Sequence, residues 1–251
     1  MKKTGLTILS VFIIFLIWLM FDLIIDNSLL LPNFFEVIKA MGNIFSDKAS
    51  LFAILNSLFR LLTGLFIAFI FGFSFGIFSG LNKNFETVIN PIVTVLRTIP
   101  VISITVIILI VAGFSLTPYI ITFLMIFPLI YQGIYGAIKG INQELIDVYK
   151  LEDDQLFSRI IHCYIPLISD DIKTSLLQSL GLGIKVLVMA EYLSQTQNSI
   201  GNLLYLAKIS IEYAEVFAWS IILVIIALVF ETIINHYKKI IIQKKVNKNI
   251  I

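Results

Sequence analysis

An all-α membrane protein with about six transmembrane helices is the fold class this sequence predicts, and three observations carry it. The first is composition: of 251 residues, 59% are hydrophobic and only 14% are charged. Soluble domains carry about a quarter charged residues. So little charge cannot coat a particle of this size, and lipid must be the solvent for most of the chain. The second is the length of the uncharged runs, several of which approach or exceed the roughly 20 residues that cross a bilayer core. The third is the uneven placement of Lys and Arg between those runs. The 21 Phe fit lipid-facing helices without proving them, and the single Cys163 rules out an internal disulfide framework.

Residues 4–21 carry no charge and follow Lys2 and Lys3, which suits a first span. A cleaved signal peptide is the competing reading. No small-x-small cleavage site follows, because the chain continues Phe21-Asp22-Leu23-Ile24-Ile25-Asp26. A second span is expected over 57–81. The uncharged run from Thr98 to Ile138 is too long for one helix. Gly113, Phe114, Ser115, Leu116, Thr117 and Pro118 supply a tight turn inside it, which gives spans near 88–112 and 117–138. A fifth span near 168–190 is less apolar and carries Lys173 and Lys185; a sixth lies near 214–236. Residues 1–50 then hold an N-terminal span and an external loop, 51–240 the main transmembrane domain, and 241–251 a Lys-rich tail.

The loops set the orientation. With the N-terminus inside, cytoplasmic segments hold Lys2, Lys3, Lys83, Lys139, Lys150, Arg159, Lys173, Lys238, Lys239, Lys244, Lys245 and Lys248. External segments hold Lys39, Lys48 and Lys208. This imbalance predicts both termini in the cytoplasm and a cytoplasmic loop between spans four and five. The Lys-rich end after His236, at the foot of a membrane helix, reads as a lipid-facing anchor rather than a nucleic-acid arm.

In the second span Gly64, Ala68, Gly72, Gly76 and Gly80 recur every four residues and share one helix face. Such a face lets another backbone approach closely in lipid. Its partner is either another helix of the same chain or a second subunit. Ser175, Ser179 and Gly183 repeat the pattern in span five.

The segment from Lys139 to Lys173 is the one long polar stretch between spans. Leu145, Val148 and Tyr149 share a helical face, and Leu156, Phe157, Ile160, Ile161 and Tyr164 form a second apolar stripe. Glu152, Asp153 and Asp154 lie between them as a turn. Two short amphipathic helices under the membrane are expected, serving as a docking element or as a plain connecting hairpin.

This loop resembles the signature loop of binding-protein-dependent ABC transporter permeases: Glu-Ala-Ala, three residues, Gly, nine residues, Ile-x-Leu-Pro. Here Asp147 is the acid and Pro166 stands nineteen residues on, preceded by Ile165 in the Leu position. Val148 and Tyr149 replace the two Ala, Asp153 the Gly, and Cys163 the Ile. Three flanking segments are similar to the nitrate/sulfonate/taurine-type permeases. They are Leu96-Arg97-Thr98-Ile99-Pro100 with Gly113-Phe114 beyond it, Lys185 to Glu191 with Ser199-Ile200-Gly201 following, and Val216-Phe217-Ala218-Trp219. The resemblance covers residues 50–240.

It implies that the loop is a coupling helix, with Asp147, Val148, Tyr149, Lys150 and Leu151 facing a cytoplasmic ATPase subunit and Asp153 and Pro166 shaping the turn and its exit. It further implies a pair of permease chains, two ATPase chains, and an extracytoplasmic substrate-binding protein, in the cell membrane of a prokaryote. No cofactor is expected in this chain; ATP and Mg would be bound by the partner ATPase. The sequence agrees in lacking a G-x-x-x-x-G-K-[ST] phosphate loop.

Charge inside a membrane usually faces a cavity or the bundle interior. Arg97, Ser175, Gln178 and Lys185 are the candidate pathway residues, with Lys185 and Arg97 attracting an anionic solute. The structural alternative has Arg97 reaching the cytoplasmic interface and Lys185 paired with an acid such as Glu191. His162 and His236 are isolated and do not suggest a metal site, and no nucleophile–base arrangement suggests catalysis. An ion-gradient-driven transporter is the main rival, but no internal repeat is apparent and the central spans lack Asp and Glu. The solute is not legible: the subfamily takes nitrate, sulfonates, taurine and vitamin precursors.

Overall fold

The structure is a computed structural model that describes residues 2–25, 27, 30–152 and 155–248, and every regular element among them is helical. The order is α1 (Lys2–Ile25), α2 (Phe34–Ser46), α3 (Lys48–Leu81), α4 (Lys83–Thr98) and α5 (Val101–Lys139). There follow α6 (Gln143–Glu152), α7 (Leu156–Arg159), a π-helical turn (Ile160–Tyr164) and α8 (Ile165–Leu167). The chain ends with α9 (Ser169–Ser194), α10 (Ile200–Ile209) and α11 (Tyr213–Lys248). Among the described residues, α3, α5, α9 and the Tyr213–Thr232 part of α11 are long and apolar enough to cross a membrane.

Side-chain oxygens at the helix junctions explain several boundaries. Asn33 and Glu36 form a reciprocal capping box at the start of α2. Asp47 ends α2 and caps α3 by accepting the backbone N–H groups of Ala49 and Ser50. Asn82 does the same between α3 and α4, accepting from Asn84 and Phe85.

The core is built by α3, α5 and α9, whose mutual contacts are the most extensive in the chain. Gly64 lies against Thr122, Gly72 against Ile130, Gly76 against Ile134 and Gly80 against Ile138. Both numbers rise together, so α3 and the second limb of α5 run parallel. Parallel neighbours need a return path between them. It is supplied by α4 and the first limb of α5. Tyr135 contacts Glu86, Tyr131 contacts Asn90, and Val101, Ile104 and Ile108 pack around Ile121 and Met125. These pairs run in opposite senses, so the return path is antiparallel to the second limb.

Two expectations are corrected here. A continuous span over 88–112 is not formed. The helix starts at Lys83, ends at Thr98, and restarts at Val101 after Ile99-Pro100. Pro100 has no N–H for a helical ladder and disfavours helix at the residue before it, which accounts for the break. The expected turn over Gly113–Pro118 also shrinks to one residue. Gly113 has φ 76° and ψ 177°, a conformation essentially confined to glycine, and Phe114 already begins the next limb. Pro118 lies one residue past the free N–H groups of that limb, so its missing N–H releases the Phe114 carbonyl, which accepts instead from the Thr196 hydroxyl at 2.7 Å. The spans expected at 57–81 and 214–236 fall within α3 and α11, and that at 168–190 coincides with α9 from Ser169 onward. The boundary expected between 50 and 51 falls inside α3, and α11 continues past 240 to Lys248.

Candidate functional site

The segment between α5 and α9 is the first candidate. α6 lies beyond the apolar end of α5 at Lys139, and Ile146 is the side chain it buries. Leu145, Val148 and Tyr149, the face the spacing singled out, are exposed beside it. Asp147 accepts hydrogen bonds from Lys150 at 2.8 Å and from Gln143 at 3.3 Å. The Lys150 ammonium, followed by Gln143, holds the Asp147 carboxyl below its usual range. Asp147 is thus ionised at neutral pH, and its contribution is lost only as pH falls through that lowered value. Asp147 and Lys150 satisfy one another on the surface of α6. The side chain of Leu151 and the whole of Asp153 lie outside the described residues.

After α7 the helix widens. Ile165 donates its N–H to the carbonyl of Ile160, five residues back. Pro166 follows immediately and can donate nothing, so the ladder is already irregular there. The widened turn buries Cys163 and Tyr164 and leaves Phe157, Leu156 and Ile161 exposed. Burial pushes the Cys163 thiol up, which suits a packing role rather than reactivity.

The ladder on α3 is closed within the chain. A Cβ on Gly72 would meet Ile130 Cβ and Cγ2 at 2.9 Å, and one on Gly76 would meet Ile134 Cβ at 2.8 Å. Gly80 is closer still to Ile138, and Ala68 is fully buried.

The expected pathway residues do not share a face. Ser175 is buried, with its Oγ against Gly133. Gln178 and Lys185 are exposed, in a stripe with Asp171, Thr174, Gly181 and Leu182. The i, i+3 step from Ser175 to Gln178 turns the helix by about 60°, enough to pass from the packed side to the open side. Arg97 is exposed at the last turn of α4.

The suggested Lys185–Glu191 pair is not formed. Glu191 is fully buried and pairs with Arg60 of α3 at 3.0 Å. Its carboxylate also accepts from Ser57 Oγ at 2.8 and 2.9 Å and from the Gly201 N–H at 3.3 Å. Ser57 Oγ in turn accepts the Ile200 N–H. Arg60 reaches on to the carbonyls of Gln197 and Asn198, and Thr196 donates to the carbonyl of Phe114. One buried carboxylate thus ties α3, α9, the 195–201 loop and the start of α10 together, and Thr196 adds the Gly113 corner. Gly201 packs so tightly on Tyr192 and Glu191 that no Cβ fits.

Sequence reasoning missed Arg60. The signal was present: Arg60 is the sole charge between Lys48 and Lys83, and Glu191 the sole acid between Asp171 and Glu212. Two isolated opposite charges in apolar helices are natural partners. The contact of Glu86 with Lys139 at 2.9 Å was likewise unforeseen. Among the described residues no cluster of His, Cys, Asp and Glu could hold a metal.

Residues 68–246 match the family described as binding-protein-dependent transport system inner membrane component. That match includes the α3 ladder from Ala68 onward, the α6–α8 segment and Glu191 with its loop. The chain belongs to this family. It is therefore a multi-pass inner membrane component of a binding-protein-dependent transport system. A curated relative, the putative aliphatic sulfonates transport permease protein SsuC of Bacillus subtilis (strain 168), is 24% identical over 172 residues. The alignment covers 68% of the permease and 62% of that relative. Family membership gives the signature segments their physical meaning: Ser199-Ile200-Gly201 is the backbone that the Glu191 carboxylate and Ser57 hold, and Val216-Phe217-Ala218-Trp219 puts Trp219 fully buried beside Val37 and Ile200.

Proposed function

We propose that the permease crosses the membrane six times with both termini in the cytoplasm, pairs with a second permease chain, and moves a small organic anion inward. Its energy comes from ATP hydrolysed, with Mg, by a separate cytoplasmic ATPase that docks on α6. An extracytoplasmic binding protein delivers the solute. The observation that carries the reading is the exposed face of α6. Leu145, Val148 and Tyr149 leave large apolar surface uncovered on a helix that lies beyond the apolar spans. Exposed aromatic and aliphatic clusters of this kind are typical anchors for a partner.

The solute class rests on two further points. The Bacillus relative is named for aliphatic sulfonates. Lys185 and Arg97 are exposed and make no ion pair among the described residues, so their charges are available to an anion. The test is a reconstitution of the permease with its ATPase and binding protein. Tyr149→Ala should abolish the stimulation of ATP hydrolysis by loaded binding protein while leaving the thermal stability of the permease unchanged. A Tyr149→Ala transporter with full stimulation and full transport contradicts the assignment.

A further inference from the structure

At the end of α5 where its apolar run stops, a cavity of about 390 Å³ opens between the ends of α3 and α5 and the α6–α7 segment. Its lining has two chemistries. Leu81, Ile138 and Ile146 form an apolar wall, and Lys139, Lys150 and Arg159 bring three cationic side chains. Two of these cations are matched: Lys139 to Glu86 at 2.9 Å and Lys150 to Asp147 at 2.8 Å. Neither acid lines the cavity. The third is not matched. Arg159 makes no ion pair among the described residues, and its Nε is shielded from solvent with no hydrogen-bond partner. A shielded guanidinium N–H without an acceptor is costly, and a bound acceptor would remove the cost.

We propose that this cavity binds a phosphate group, supplied by the headgroup of an anionic phospholipid, with Arg159 as its principal ligand. Three observations favour a lipid source. The cavity sits where a membrane-length helix ends, which is headgroup depth. Its apolar wall suits a glycerol backbone and the first methylenes of an acyl chain. The adjoining Leu156, Phe157 and Ile161 are exposed apolar side chains that would lie against the same lipid. Basic pockets at the cytoplasmic ends of membrane helices take anionic headgroups by this chemistry. The guanidinium fork matches two phosphate oxygens, whereas Lys139 and Lys150 add charge without fixed geometry. The site goes beyond the transport reading, and it stands or falls independently of it.

The experiment is native mass spectrometry of the full-length permease titrated with dimyristoyl phosphatidylglycerol or dimyristoyl phosphatidylcholine. A parallel thermal melt in detergent with inorganic phosphate accompanies it. Arg159→Gln is compared with Gln143→Glu, which keeps Arg159 but adds an acid to the cavity lining. The wild type should hold phosphatidylglycerol in preference to phosphatidylcholine, and each variant should lose about fivefold of that preference, the share of one basic residue. Stabilisation of the wild type by inorganic phosphate, lost in both variants without any lipid preference, assigns the same site to free phosphate. Phosphatidylglycerol binding unchanged in both variants, with no phosphate effect, overturns the proposal. So does loss of ATPase co-purification in Arg159→Gln with lipid preference intact, since Arg159 would then serve a protein contact. If Arg159→Gln does not fold, Gln143→Glu alone decides between these outcomes.

Discussion

α3 and α9 are both membrane-length helices that carry small or polar residues at four-residue spacing, yet they use that spacing differently. On α3 the small residues are consumed. Gly64, Gly72, Gly76 and Gly80 each receive a side chain of α5, and only Gly80, at the rim of the cavity by α6, keeps part of its surface open. α9 has two faces. Ser175, Ser179 and Gly183 are buried against the chain's own helices, while Thr174, Gln178, Gly181 and Lys185 are exposed. A closed small-residue face is a packing device within one chain. An open stripe holding Gln and Lys is costly against lipid, so it must meet water, a solute or another subunit. The same contrast holds between Arg60, whose charge is answered by Glu191, and Lys185, whose charge is answered by nothing among the described residues.

Breaking the closed side should have the largest effect. Glu191→Ala leaves Arg60 unpaired and removes the acceptor of Ser57 and Gly201, so a loss of about 3–5 kcal/mol is expected, the cost of breaking a buried pair. Thermal unfolding in detergent should show it, and Glu191→Gln should recover part of it by keeping hydrogen bonds. A Glu191→Ala melt equal to wild type would mean that the 195–201 loop is held by other contacts.

Gly76→Leu ranks next. The new side chain must displace Ile134, and overpacking of this kind costs about 1–3 kcal/mol. The same assay in a Gly181→Ala variant should show almost nothing, because open space surrounds Gly181. Equal losses at the two sites would erase the difference between ladder and stripe.

Much of this was legible in the sequence, and the failures have physical causes. The small-residue period located the packed face of α3, because a four-residue repeat of Gly and Ala has few uses besides close approach. It did not name α5 as the partner, since spacing along one helix carries no information about which helix lies opposite. The Leu145, Val148 and Tyr149 face of α6 was readable from period alone. The return path was expected over 88–112, but its break was not, because hydropathy overlooks that Pro100 ends one helix and starts another. The grouping of Ser175 with Gln178 and Lys185 failed because 60° of helix rotation separates a packed residue from an open one. Arg60 was overlooked because a single charge in a long apolar run reads as a tolerated exception until its acid is found.

The smallest effect on stability should come from the open stripe itself. Lys185→Ala and Gln178→Ala should each change unfolding by no more than about 0.5 kcal/mol, as exposed substitutions do. Their effect belongs in transport: Lys185→Ala should weaken apparent affinity for an anionic solute and leave a neutral analogue untouched. A Lys185→Ala transporter with unchanged rate and affinity would confine this lysine to structure.

Chemical labelling tests the central contrast most directly. In a Cys163→Ser background, Gln178→Cys and Ala68→Cys are exposed in proteoliposomes to a negatively charged, water-soluble thiol reagent. The account predicts that Gln178→Cys is labelled and Ala68→Cys is not, because one position opens to an aqueous pathway and the other is sealed by α5. Labelling of Gln178→Cys only by an uncharged, lipid-partitioning maleimide would place the stripe against lipid and contradict it.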